Sequence, residues 1–277
     1  MKRVLIVMTV AAIGAVLLPS AASAAPTLAY DSIPKTLPGN VPSQAFQATQ
    51  TGEFGDGVRL EPGTPRSLQS VRVTLSSWGC QSGTWNGGDC LTTAGATFAH
   101  SITLTIYAMG AGGAVGAEVA HKTQTFNIRY RPSANNVKCT DDDAGKWFKK
   151  ADGTCYNGFA QSIKFGFAGE LIPVDREVIW TVAFNTSGYG DNPLGYSTAC
   201  SGTNEGCPYD SLNVGLNTSS HAPYIGTDVQ PAGAYHDSKT AGQYCDGGTL
   251  GTGVLRLDDN CWGGYVPMAE IMTKRAA

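Results

Sequence analysis

Cysteine is the reactive residue type this chain repeats most regularly. Cys80, Cys90, Cys139, Cys155, Cys200, Cys207, Cys245 and Cys261 give separations of 10, 16, 7 and 16 residues within successive pairs, and these alternate strictly with long gaps. The alternation favours the pairs Cys80–Cys90, Cys139–Cys155, Cys200–Cys207 and Cys245–Cys261. Zinc is the competing chemistry. Structural zinc sites gather close pairs such as C-x-x-C around one ion. No C-x-x-C occurs here, and His100, His121, His221 and His236 are scattered. Four local disulfides are therefore expected, each worth about 2–4 kcal/mol through restriction of the unfolded chain.

The loops those bridges would close carry aromatic residues. Trp85 falls in the first and Trp147 in the second, and Trp262 directly follows the last. A sugar stacks its C–H faces on such rings while nearby polar groups take its hydroxyls. Asn86, Asp89, Asn157 and Asp246 are the candidate polar partners. A rigid loop lowers the ordering cost of such a contact. The competing reading is that each tryptophan plugs its own loop onto the body of the protein, as large aromatics do in small satellite cores. Two acidic runs, Asp141, Asp142 and Asp143 in one loop and Asp258 and Asp259 in another, raise the possibility of a structural calcium ion. Neither fits the EF-hand spacing, and a solvated acidic run is the alternative. No other cofactor is expected.

Catalytic constellations are weaker. Gly195-Tyr-Ser197-Thr-Ala199 only approximates G-x-S-x-G and lacks the strand–helix setting that motif needs. Glu53 with Asp56, and Asp175 with Glu177, are the carboxylate pairs closest to what glycoside hydrolysis requires. Gly110 to Gly116 is glycine-rich without being a phosphate-binding fingerprint. No catalytic residue is assigned on these grounds.

The elements that would position these residues read as strands. Val71, Val73 and Leu75 alternate with polar residues, and so do Ile102, Leu104 and Ile106. The same period recurs at Ile163, Phe165 and Phe167, at Val178, Trp180, Val182 and Phe184, and at Leu212, Val214 and Leu216. Tyr265, Pro267, Ala269 and Ile271 share one face near the end, with Val266 and Met268 on the other. Such alternation marks strands with one face on a core. The 35 glycines and 14 prolines supply turns between them. No stretch has a clean helical period; Asp141 to Lys150 is the best and is short. The expected fold is all-β, a two-layer antiparallel sandwich of roughly 8–10 strands, jelly-roll-like, with disulfide-closed loops. Tyr30 to Phe46, rich in Pro and Gly, should run extended into an edge strand.

Residues 1–24 read as a signal peptide. Lys2 and Arg3 precede the apolar run Val4 to Leu18, and Ala22-Ser23-Ala24 forms a cleavage site. Residues 25–277 then form one sandwich domain, secreted into an oxidising compartment. No later stretch is long and apolar enough to span a membrane. Removing the two leader cations leaves 17 Lys+Arg against 22 Asp+Glu, a net −5. That balance excludes a basic nucleic-acid footprint.

The string Tyr30-Asp-Ser-Ile-Pro-Lys-Thr-Leu-Pro-Gly-Asn-Val-Pro-Ser43, continued by Thr51-Gly-Glu-Phe-Gly-Asp56 and Leu75-Ser-Ser-Trp-Gly-Cys80, resembles the opening of a family of secreted bacterial proteins. Lys122-Thr-Gln-Thr-Phe126, Tyr130-Arg-Pro132, Phe184-Asn-Thr-Ser187 and Tyr209-Asp-Ser-Leu-Asn213 are similar to it too. The resemblance implies export and a β-sandwich and brings no activity or catalytic residues. The leading expectation is a non-catalytic extracellular protein that binds glycan or envelope polymer through its stapled loops. A structural protein of the cell surface and a glycan-active hydrolase or lyase are the alternatives.

Overall fold

The computed structural model describes residues 25–63, 66–167, 172, 174–185 and 212–275. In chain order the strands begin with β1 (Thr27–Asp31), β2 (Ser43–Ala45), β3 (Thr51–Arg59), β4 (Arg66–Ser77), β5 (Thr97–Met109) and β6 (Val115–Arg129). Next come β7 (Trp147–Lys149), β8 (Thr154–Tyr156), β9 (Phe159–Gly166), β10 (Glu177–Phe184) and β11 (Leu212–Asn217). The last are β12 (Thr227–Asp228), β13 (Gly233–Ser238), β14 (Arg256–Asp259), β15 (Val266–Pro267) and β16 (Ala269–Arg275). Helix among the described residues is confined to short 3-10 turns.

Two seven-stranded antiparallel sheets face one another. One runs β1-β16-β4-β11-β15, with β9 on the other edge of β4 and β2 beside β11. The second runs β14-β13-β3-β10-β5-β6, with β12 also on β3. Strands distant in sequence are neighbours in both, as in a jelly roll. The period-2 residues point where their alternation requires. Val71, Val73 and Leu75 from one sheet meet Phe54, Leu104, Trp180 and Val182 from the other in a single core.

Two parts of the pattern come out differently. Central strand β10 buries Ile179 and Thr181 as well as Trp180. The β5–β6 turn contributes to covering its outer face, where Tyr235 donates to the Gly113 carbonyl at 2.6 Å. The end of the chain is also broken into β15 and β16. Tyr265 is exposed there, whereas Met268 joins Val41 and Ala160 in a second small core under the extended lead-in. That lead-in ends at β2, on β11.

The free edges of β6 and β9 meet on one side of the sandwich. The Gln161 side chain accepts from the Arg129 N–H at 3.0 Å and donates to its carbonyl at 3.1 Å, taking the place of a neighbouring strand.

Phe165 is fully buried against Phe126. Phe165→Ala is expected to lower unfolding free energy by about 3–5 kcal/mol in urea titrations. His100 is also buried, and that burial pushes its pKa down to about 4. The unfolded chain therefore binds a proton, between pH 6.5 and about 4, that the folded chain does not. This part of the stability is complete above pH 6.5 and lost as pH falls toward 4. His100→Gln should shrink the gap between urea midpoints measured at pH 7 and pH 4.5.

Candidate functional site: the disulfide-closed loops

Three of the expected bridges join the described residues: Cys80–Cys90, Cys139–Cys155 and Cys245–Cys261. Cys200 and Cys207, with Ser197, lie outside the described residues.

The first two loops form one unit. Within the 80–90 loop, Asp89 Oδ1 accepts from the Thr84 N–H at 2.9 Å and Thr84 Oγ1 accepts from the Gly87 N–H at 3.0 Å. The loop then meets its neighbour backbone to backbone at Gly88 and Gly145. Both have positive φ, and a Cβ on Gly145 would lie 2.6 Å from the Gly88 Cα. Any side chain there would push the loops apart. Arg131 locks the joint from beneath. Its N–H donates to the Gly79 carbonyl at 3.0 Å, and its guanidinium to the Gly145 carbonyl at 2.7 Å. Full burial lowers its pKa to about 10. Sequence reasoning passed over Arg131; its only signal was an Arg directly after a strand, between Tyr130 and Pro132.

The tryptophans do not form a common platform. Trp85 is 39% exposed and packs edge-on against half-buried Trp78, 4.8 Å between centroids. Asn86 beside it is exposed. Trp147 and Trp262 are buried, which corrects their assignment as ligand-binding residues. Trp147 donates its Nε1–H to the Gly158 carbonyl at 2.6 Å and lies against Tyr156 and Phe159. Trp262 packs on Phe54 at 5.1 Å and donates to Asp258 Oδ2 at 2.9 Å. Large rings beside a bridge gain more free energy inside than out.

The proposed polar partners divide as well. Asp89 is committed to its own loop. Asp246 accepts from Arg256 at 2.8 Å and from the Gly248 and Leu250 N–H groups. Asn157 is half-buried near the β7–β8 hairpin.

The acidic runs do not converge either. Asp143 pairs with Lys146 at 2.6 Å, Asp141 accepts from Thr140, and Asp142 is exposed. Asp259 is exposed and accepts from the Asn260 N–H. Among the described residues, the only gathering of three potential ligands is Cys245, Asp258 and Cys261, and its two sulfurs are bonded to each other. These runs offer no calcium cage.

Asp258 instead lies beside a buried imidazole. Thr51 Oγ1 lies 2.8 Å from His236 Nε2, and His236 Nδ1 lies 4.0 Å from Asp258 Oδ2. Burial pushes the Asp258 carboxyl up. Its neighbours His236, the Trp262 N–H and the Cys245 N–H outweigh that and hold it below the usual carboxylate range. The order hydroxyl–imidazole–carboxylate resembles a nucleophilic triad. All three side chains are inaccessible, and Asp258 holds the 245–261 loop through the bonds it accepts from the Cys245 and Trp262 N–H groups.

The carboxylate pairs separate. Asp56 faces the core, Glu53 the outside, and Glu177 pairs with Arg59 at 2.7 Å. Glu53 sits opposite Asp237 across the β3–β13 ladder, beside a groove of about 360 Å³ lined by Ser101, Thr103 and Thr105. Tyr107 donates to Glu53 at 3.0 Å, and Thr181 bonds it too. No family model matches the chain, and neither a curated protein nor a solved structure does.

Trp262→Ala is expected to cost about 3–5 kcal/mol in chemical denaturation, because it empties a core site and strands Asp258. Trp85→Ala should cost about 1 kcal/mol, the worth of one exposed aromatic pair.

Proposed function

We propose that the chain is a secreted, non-catalytic β-sandwich protein that binds glycan or cell-envelope polymer through side chains displayed on its disulfide-closed loops. One observation carries this reading. Among the described residues, the exposed large hydrophobics are Trp85, Leu91, Val137, Tyr224, Leu250, Val254 and Tyr265. Trp85, Leu250 and Val254 lie inside closed loops, and Leu91 and Val137 adjoin the Cys90 and Cys139 ends of two of them. Exposing apolar groups to solvent is unfavourable for the protein alone, and holding them on closed loops removes ordering cost when a ligand covers them. Trp85, with Trp78 behind it and Asn86 beside it, is the best-formed element for stacking a sugar ring. The bridges support an oxidising compartment, and no helix among the described residues is long and apolar enough to cross a membrane.

Retention on immobilised polysaccharides and purified envelope polymer tests this. Wild type should be retained by at least one polymer, with Trp85→Ala and a Leu91→Ser/Val137→Ser pair at least about tenfold weaker, as for residues at the centre of a contact. Absence of wild-type retention would defeat the reading. Equal retention of Trp85→Ala would defeat the loop mechanism.

Glu53 and Asp237 favour a second reading, a glycan-active hydrolase working in the outer groove. Directly opposed residues place their Cβ atoms about 5 Å apart, within the range two catalytic carboxyls use. Reducing-end release by wild type, abolished in Glu53→Gln, would support it; no release from any retained polymer would dismiss it.

A further inference from the structure

Two strand arginines of the sandwich stand opposite an acid. Arg72 of β4 faces Glu270 of β16 and donates to it at 3.1 Å. Arg59 of β3 faces Glu177 of β10 and donates to it at 2.7 Å. Arg66 breaks this rule. It is the first residue of β4, and it stands opposite Arg275, the last residue of β16. Directly opposed residues place their Cβ atoms about 5 Å apart, and like charges so placed repel.

Arg66 is also buried, at 3% exposure, where Leu68 and Ile271 close that end of the core. Its Nε and Nη2 are shut off from solvent and make no hydrogen bond. No carboxylate among the described residues forms an ion pair with Arg66 or Arg275. A further cation stands near instead. Arg176, whose carbonyl accepts from the Leu60 N–H at 2.7 Å, adds to burial in holding the Arg66 pKa below its ordinary value. A buried charge without a counter-charge is costly. Arg66 and Arg275 both line a pocket of about 500 Å³, with Thr27, Glu61, Gly63 and Thr273 among its other walls. Glu61, the one acid of these walls, is engaged by the Gly226 N–H, which donates to its Oε1 at 3.2 Å.

We propose that this pocket binds a tetrahedral oxyanion, a phosphate or sulfate group, between Arg66 and Arg275. The chemistry selects this class. Guanidinium groups donate charge-assisted hydrogen bonds to oxyanions and accept none, so they repel metal ions. A phosphate or sulfate points its oxygens in several directions, and one such group can accept from two arginines at once. Its double charge also answers both cations, which a planar carboxylate of single charge does not. Because the guanidinium charge is delocalised, an anion seated on its accessible corner also neutralises the two nitrogens that are shut off. The pocket exceeds the volume of the anion alone and has room for a small group that carries it. It lies at the far end of β4 from the 80–90 loop, roughly 35 Å along the 12-residue strand. This site is therefore independent of polymer binding by the loops.

Isothermal titration calorimetry of the mature chain, in chloride buffer at fixed ionic strength, is the test. The probes are inorganic phosphate, inorganic sulfate, glucose 6-phosphate and acetate. Wild type should give saturable heat with phosphate, and its melting temperature should rise by about 3–5 °C at ten times Kd. Arg66→Met should lose at least about tenfold in affinity. Arg275→Gln changes only an exposed side chain; it should keep wild-type circular dichroism and bind at least about threefold more weakly. Trp85→Ala should bind phosphate as wild type does, which separates this site from the loops. Glucose 6-phosphate binding tighter than phosphate would identify a phosphorylated ligand as the source of the group, and equal affinity would identify the free ion. The assignment is overturned if wild type gives no saturable heat with phosphate, sulfate or glucose 6-phosphate. It is also overturned if either arginine variant binds as wild type does, if Trp85→Ala weakens binding as Arg66→Met does, or if acetate binds as tightly as phosphate.

Discussion

The inner face of β3-β10-β5 must be covered, and that constraint organises the molecule. Trp180 is the largest side chain there and is wholly buried. Its neighbours along the pleat, Val178, Val182 and Phe184, with Phe54 and Leu104 across the ladders, leave an apolar slab that only a second sheet can close. β4 supplies that cover through Val71, Val73 and Leu75. Its own two edges then hold β9 on one side and β16 followed by β11 on the other. A one-residue slip in any of these strands would exchange inside for outside along its length.

With the body fixed in this way, the disulfides are not needed to create the core. They govern the excursions between strands. The 80–90 and 139–155 segments contain turns, glycines and few ladder bonds, so free they would sample many shapes. A short covalent loop restricts that sampling in the unfolded chain, and the Gly88–Gly145 contact joins the two loops. The third loop uses a polar device instead. Asp258 takes bonds from Trp262 and the Cys245 N–H, and His236 beside it is held by Thr51. Loops built like this can carry exposed Trp85, Leu91 and Leu250 without collapsing onto them.

The strands could be read from the sequence because alternation is a direct record of burial on a pleated surface. Val71, Val73, Leu75 and the Val178–Phe184 run all face the core as their spacing demands. The described disulfides could be read for a similar reason, since close spacing brings sulfurs together whatever the loop does. The direction of a loop aromatic has no such periodic signature. Trp85, Trp147 and Trp262 look alike as letters, yet the last two find buried acceptors in the Gly158 carbonyl and Asp258, which lie 11 and 4 residues away along the chain. Asp56 is a different case. Its signal was present, because Phe54, Asp56 and Val58 alternate and that period alone turns the carboxyl inward. Reading Glu53 and Asp56 as an acidic pair hid it, although an odd separation on a strand puts the two on opposite faces.

Asp258 and Asp56, two of the three buried acids of the second sheet, are buried in different ways. Asp258 is surrounded by donors, and the balance of burial and bonding favours its charge. Its bonds from the Trp262 and Cys245 N–H groups anchor the loop. Asp56 has fewer donors, its own neighbour's N–H and the Tyr30 hydroxyl beside it, with Trp180 across the ladder and Asp228 as a second acid, and burial holds its carboxyl well above the usual range. Burial thus disfavours the charged form of Asp56, where bonding favours the charge of Asp258.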